Sequence, residues 1–144
     1  MLTGYRQTDH SLLSGHWLPG ELLGLSDPDR PFLAEPVSIE QTNAYVIRDQ
    51  AVVHFADLDW VHRRARLEIG VRSGDLTDIV RLAVRHGFTV LNLHRLYGWV
   101  TPAVGTPTEP LEVAGFEHET SIPQAIWHAG GPVGRQQWGV IRHD

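Results

Sequence analysis

The chain has 144 residues, of which 42% are hydrophobic and 20% are charged, so residues 1–144 are most simply one globular domain with a sizeable core. Its net charge of −5 comes without a broad basic face, which argues against a nucleic-acid partner, and no apolar run approaches the roughly 20 residues that a membrane helix needs. Cysteine and lysine are both absent, which excludes disulfides, thiolate catalysis and Schiff-base chemistry on a side-chain amine.

Short helices separated by loops are predicted for the first part of the chain. Thr8 or Asp9 is a suitable N-cap for the first helix, which the Pro19-Gly20 pair ends. Residues 21–25 would add a further helical turn, and Ser38 is a suitable cap for another short helix.

Three strands are predicted next, over residues 44–48, 52–56 and 65–71. In the third strand alternate apolar residues share one face, and Glu68 lies on the other face beside Arg66.

A helix is predicted directly after the third strand. Asp75 is a good N-cap and Asp78 is favourable in the first turn. One apolar stripe runs along this helix through Ile79, Leu82, Ala83 and His86. We expect the helix to end at Gly87, the usual residue at that position.

The remaining chain is predicted to be mostly strand. Residues 94–100 form one strand, residues 101–110 form a loop, and residues 124–128 and 136–141 form a closing hairpin around Gly130-Gly131. The element order indicates an α/β fold whose sheet has mixed strand directions.

Four stretches in this part of the chain resemble one branch of the GNAT N-acetyltransferase superfamily, which includes ribosomal-protein N-acetyltransferases. They are residues 68–70, 91–97, 114–119 and 125–131, and the match runs from about Ala44 to Ile141. The resemblance implies a mixed, strongly twisted central sheet with flanking helices and a C-terminal β-hairpin. It also implies an acyl-CoA cofactor.

Two functional positions depart from that family's pattern. The glycine-rich loop that holds the cofactor pyrophosphate is missing before Leu76, where Asp75 and Asp78 place negative charge instead. Leu111 occupies the position of the tyrosine general acid, and the usual asparagine is not evident in residues 104–107. We therefore expect no acyl-CoA cofactor, because the chain lacks both the glycine-rich loop that binds its pyrophosphate and the tyrosine that donates a proton.

Three side chains are candidate catalytic residues in the cleft that the family keeps open between its fourth and fifth strands. Glu68 is a general base if burial raises its pKa, or else the partner of Arg66 in an ion pair. His54 is either an acid/base group or a buried structural histidine. Tyr97 is a further acid or orienting group.

Other candidates would bind substrate rather than react with it. Trp99 and Trp127 can form an aromatic wall or can simply pack, and His128 can face substrate or solvent. The nine histidines show neither helical-pair nor alternating strand spacing, so no metal site is predicted.

Three functions follow from these residues. The first is a CoA-independent enzyme of specialised metabolism, whose acid/base chemistry is cyclisation, elimination, isomerisation or hydrolysis of a small molecule. The second is a non-catalytic pseudoenzyme that binds a ligand or partner, and the third is an unusual N-acetyltransferase. The N-terminus lacks signal-peptide features, so we expect a cytoplasmic protein, and the family analogy suggests a homodimer.

Overall fold

A mixed sheet of eight strands forms the centre of the fold in the computed structural model, which describes residues 2–4, 21–25 and 43–143. The strands are β1 (Thr3–Gly4), β2 (Gly24–Leu25), β3 (Ala44–Ile47), β4 (Ala51–Asp59), β5 (Arg64–Val71), β6 (Arg95–Val100), β7 (Glu117–His128) and β8 (Gly131–Ile141). Their order in the sheet is β1-β3-β4-β5-β6-β8-β7, and β2 pairs with β5 beside that path. The helices are α1 (Leu76–Thr89) and α2 (Glu109–Val113). This architecture confirms the predicted mixed α/β fold.

Each predicted strand is present, and several are longer than expected. The closing hairpin begins at Glu117 and turns at Ala129 and Gly130, whose φ angles of 50° and 84° suit a tight two-residue turn. The predicted loop at 101–110 is partly helical, because it contains a 3-10 turn at Pro102–Val104 and the start of α2. The helices predicted after Thr8 or Asp9 and after Ser38 lie outside the described residues.

Helix α1 begins as predicted but ends later. The Asp75 carboxylate accepts the backbone N–H of Asp78 at 3.0 Å, which confirms the N-cap. Gly87 does not end the helix: it is buried within it, where an added Cβ would lie 2.9 Å from the Phe55 ring and 3.0 Å from Leu96. A glycine there allows close packing against the sheet.

One face of the sheet packs against α1, and the other carries the polar candidates. Phe55 and Leu96 contact the helix at Gly87, so they point to the α1 face. Because neighbouring residues on a strand alternate in direction, His54 and Tyr97 point to the opposite face. The face opposite α1 is called the polar face below.

Candidate active site

The cleft expected between the fourth and fifth strands of the family, here β5 and β6, is filled by the chain's own backbone. The two strands pair in parallel only from Arg64–Arg66 to Arg95–Tyr97, and then they diverge. Residues 21–25 lie in the gap that opens beyond this pairing. The Leu22 N–H donates to the Trp99 carbonyl at 2.7 Å, and the Ile69 N–H donates to the Glu21 carbonyl at 3.3 Å. The expectations of an open cleft and of a helical turn at 21–25 are therefore both wrong.

Gly98 makes this filling possible. A Cβ at Gly98 would lie 2.8 Å from the Leu67 carbonyl oxygen and 2.9 Å from the Leu22 Cβ. Both neighbours belong to or adjoin rigid backbone, so neither can yield cheaply. The close approach of Leu22 to β6 thus depends on the glycine.

The junction between β5 and α1 is occupied by internal hydrogen bonds. The backbone N–H groups of Arg72 and Ser73 both donate to the Gln50 carbonyl, at 2.7 Å and 3.1 Å. The Asp75 carboxylate adds its own bond to the start of the helix. Amides of such a junction hold phosphates only when they point freely at the ligand, and here two of them are already used.

A chain of polar contacts on the polar face joins His54, Glu68 and Arg66. His54 pairs with Glu68 across β4 and β5, and its Nδ1 lies 3.5 Å from the Glu68 Oε2. Arg66 donates from Nη1 to the other oxygen of Glu68 and from Nε to Asp57 at 3.0 Å. The side chains of His54 and Glu68 are each 16% exposed. A carboxylate so placed fixes the orientation of the imidazole beside it.

The pKa of Glu68 is lowered, whereas the sequence led us to expect that burial would raise it. Burial alone would raise it, but the close approach of His54 and the Arg66 guanidinium outweigh that effect and hold the pKa below its ordinary value. The expected raised pKa is therefore wrong, and the ion pair with Arg66 is present. Glu68 is thus a stable carboxylate at neutral pH rather than a group poised to exchange protons.

A second polar group, missed in the sequence, lies in the gap between β5 and β6. Glu21 is 4% exposed, and its Oε1 accepts the Thr101 backbone N–H at 3.1 Å. Its Oε2 lies 3.7 Å from Nη2 of Arg135, whose Nε donates to the Thr101 hydroxyl at 3.1 Å. In the sequence, the feature that could have indicated this residue was a single acid directly before Leu22-Leu23. Only the strand pairing shows that it is buried.

A small cavity adjoins Glu21. Its volume is about 10 Å³, and it is lined by Glu21, Leu23, Trp99, Val100, Thr101, Thr106, Pro107 and Leu111. That space holds about one water molecule. Leu111, which the resemblance aligns with the family's tyrosine, is 1% exposed and contributes only an apolar wall.

The predicted substrate-binding residues do not lie together. Trp99 borders the Glu21 cavity and pairs with Gln137 of β8, whereas Trp127 pairs with Pro132. The five-residue separation of Pro132 and Gln137 corresponds to roughly 17 Å of strand. Trp127 is 71% exposed, so the two tryptophans do not form one wall.

Tyr97 and His128 occupy different surroundings. Tyr97 pairs with Arg66 across β5 and β6, which places it on the polar face next to the Glu68 ion pair. The Arg95 guanidinium carbon lies 5.7 Å from the centre of its ring. His128 is 5% exposed at the end of β7, where it pairs with Gly131 beside the hairpin turn.

Within residues 2–4, 21–25 and 43–143, no three His, Asp or Glu side chains are arranged to hold a metal ion. No helix in this part of the chain is long and apolar enough to span a bilayer.

Solved structures with a similar fold include spermidine N-acetyltransferases. A chimera of the Vibrio cholerae enzyme SpeG with hSSAT has a TM-score of 0.76 at 16% identity, over 98% of this chain and 94% of the chimera. The Vibrio cholerae enzyme in complex with CoA and spermine has a TM-score of 0.71 at 18% identity, over 98% and 94% of the two chains. A second chimera matches at 0.58 and 21% identity over 64% of this chain, which spans only 57% of that chimera. No family model and no curated protein matches the chain.

These likenesses show that the chain has the GNAT fold. The resemblance to the ribosomal-protein branch stays a prediction.

Proposed function

We propose that this chain is a CoA-independent enzyme on a GNAT fold, which carries out acid/base chemistry on a small molecule of specialised metabolism. The observation that carries this proposal is the contact between His54 Nδ1 and the ionised Glu68 on the polar face. The reaction class is proton transfer, as in cyclisation, elimination, isomerisation or hydrolysis.

Three features support loss of acetyl-CoA chemistry. The Gln50 carbonyl uses junction amides that would otherwise face a pyrophosphate, and the Asp75 carboxylate caps the helix after them. Residues 21–25 fill the gap between β5 and β6. The buried Leu111 supplies no proton for a departing thiolate.

The roles of the candidate residues follow from their contacts. His54 Nδ1 lies against the Glu68 carboxylate, and the tautomer with its proton on Nδ1 leaves Nε2 as the base that accepts a substrate proton. Glu68 then stabilises the imidazolium, and Arg66 keeps Glu68 ionised. Tyr97 orients substrate from the neighbouring strand. Glu68 is thus a positioning residue, and His54 replaces it as the base.

The alternative of an unusual N-acetyltransferase is favoured by the enzymes that share this fold, one of which was solved with CoA and spermine. A polyamine needs carboxylates that are free to bind cations. In the described part of this chain Glu68 already pairs with Arg66, and Glu119 pairs with Arg95. This pairing disfavours a polyamine substrate.

The alternative of a non-catalytic binding protein rests on the same internal hydrogen bonds at the junction. It differs from the enzyme in one respect, because binding does not require His54 to exchange protons. A self-associated state through the C-terminal strands is compatible with all three functions, and one enzyme of this fold is dodecameric.

The test incubates a small-molecule extract of the source organism with the purified protein and follows every metabolite by mass spectrometry. We expect wild type to consume a metabolite without added CoA, and His54→Gln to slow this by about 100- to 10,000-fold. His62→Gln, at an exposed turn, is the matched control. Equal consumption by His54→Gln contradicts the enzyme, and a product heavier by an acetyl group favours the acetyltransferase.

A further inference from the structure

Glu21 is a buried acid that the proposed mechanism does not use. It is 4% exposed, and only one of its two oxygens accepts a hydrogen bond, from the Thr101 N–H. Its Oε2 has no hydrogen-bond partner, since Arg135 Nη2 at 3.7 Å is too far away for one. A buried carboxylate oxygen without a partner is costly, whereas a protonated oxygen can donate to a water molecule. The one-water cavity beside Trp99 offers that water a place.

The strands place Glu21 in the same row as the proposed base. His54 on β4 pairs with Glu68 on β5, and the Glu21 carbonyl accepts from Ile69, the next residue of β5. Glu21 in turn bridges to Trp99 on β6. Glu21 is therefore two strand spacings from His54, or about 10 Å between backbones, and Glu68 lies between them in the row.

We propose that Glu21 is a second catalytic residue, a general acid that donates its Oε2 proton to the substrate through the cavity water while His54 removes a proton elsewhere on the molecule. This inference rests on the proposed function. The bond to the substrate proton at His54 breaks, and its electron pair shifts through the substrate to the atom that receives the Glu21 proton. Turnover leaves an imidazolium and a carboxylate, and proton exchange with water restores both.

The charges around Glu21 agree with this division of roles. Burial raises the pKa of Glu21, although the Thr101 hydrogen bond and the Arg135 guanidinium oppose that rise. The charged groups that face it in the described chain are Arg135 on β8 and, beyond that guanidinium, Arg66 and Glu68 on β5. The pKa of Glu68 is lowered, so two carboxyl groups in one row are driven in opposite directions. This divergence favours a proton on Glu21 and a negative charge on Glu68, the residue that orients the base His54.

The first test needs no substrate. The infrared absorption of protonated carboxyl groups is followed with pH in wild type and in Glu21→Gln. We expect a band that Glu21→Gln removes and that persists above pH 4.5, the ordinary pKa of glutamate. Should Glu21→Gln not fold, Arg135→Gln is titrated instead, and the Glu21 band should persist to higher pH because an opposing cation is gone. A Glu21 band lost at or below the ordinary pKa, or unmoved by Arg135→Gln, overturns the proposal.

The second test uses the metabolite that wild type consumes. We expect Glu21→Gln to lower the rate at saturating metabolite by about 100-fold or more, while Glu119→Gln, on β7, leaves it unchanged. Equal effects of the two variants overturn a catalytic role for Glu21. Failure of the proposed function gives a different result, because His54→Gln would then consume the metabolite as fast as wild type.

Discussion

The backbone N–H of Leu22 donates a 2.7 Å hydrogen bond to the carbonyl of Trp99, and this bond closes the gap where β5 and β6 diverge. Gly98 on β6 admits the inserted chain, since a Cβ there would lie 2.9 Å from the Leu22 Cβ. On the other side of the gap, Gly24 pairs with Gly70 of β5. The insertion also carries Glu21 into the row that contains Glu68 and Trp99. The inserted segment therefore lies where the resemblance implies a cofactor, and it carries Glu21 into the site that we propose.

Gly98→Ala tests how tightly the inserted segment is held. The new Cβ meets a carbonyl oxygen and the Leu22 Cβ at less than 3.0 Å, so we expect a loss of about 1–3 kcal/mol in the free energy of unfolding. Gly131→Ala is the control, since nothing lies within 4 Å of its Cβ. Urea unfolding of both variants makes the measurement, and equal stabilities would show that residues 21–25 are not packed against β6 as described.

Asp75→Ala tests the self-capped helix. The variant loses the hydrogen bond to the Asp78 N–H, and we expect a cost of about 1 kcal/mol in unfolding free energy. Asp75→Asn keeps an accepting side-chain oxygen and should stay near wild type. A cost as large for Asp75→Asn as for Asp75→Ala would mean that charge, rather than the hydrogen bond, stabilises the helix start.

The pH dependence of stability should differ in sign between two glutamates. The raised pKa of Glu21 means that its contribution is complete at low pH and is lost as pH rises above about 4.5. The stability of Glu21→Gln relative to wild type should therefore increase with pH. Glu119 has a lowered pKa because of its Arg95 hydrogen bonds, so its contribution is lost as pH falls below about 4.5. Chemical unfolding of wild type, Glu21→Gln and Glu119→Gln over a pH series checks both. Stability differences from wild type that change with pH in the same direction for the two variants would contradict these carboxyl environments.

Arg66→Gln tests what keeps Glu68 ionised. Removal of the guanidinium leaves burial as the larger influence, so we expect the pKa of Glu68 to rise. Carbon NMR of labelled glutamate side chains follows the titration directly. Arg48→Gln is the control, since the Arg48 side chain is 96% exposed. An unchanged Glu68 titration in Arg66→Gln would show that His54 alone accounts for the lowered pKa.

The strands and helix that could be predicted from the sequence are indicated by patterns within their own residues. The strand at Arg64–Val71 alternates apolar and polar residues, and Asp75 stands directly before a helical stripe. Residues 21–25 were wrongly predicted to be a helical turn. A two-residue strand is too short to show an alternating pattern, and its partners on β5 lie more than 40 positions away in the sequence. Gly87 was misread because a glycine suits both a helix end and a close contact.

The candidate site was predictable in its residues rather than in its electrostatics. Glu68 and His54 were singled out from residue type and strand position, and the register brings them together. The direction of the Glu68 pKa depends on how burial compares with two specific partners, which only the side-chain geometry gives. Glu21 and Arg135 were missed because neither lies in a recognisable motif.

Calorimetric titration with acetyl-CoA tests the central claim most directly. The Vibrio cholerae spermidine N-acetyltransferase, solved with CoA and spermine, serves as the positive control. We predict no heat of binding for this chain, because internal hydrogen bonds of Gln50 and Asp75 occupy the junction, and residues 21–25 occupy the gap, where the resemblance implies the cofactor. Saturable binding of acetyl-CoA, followed by its turnover on an amine, would contradict the account.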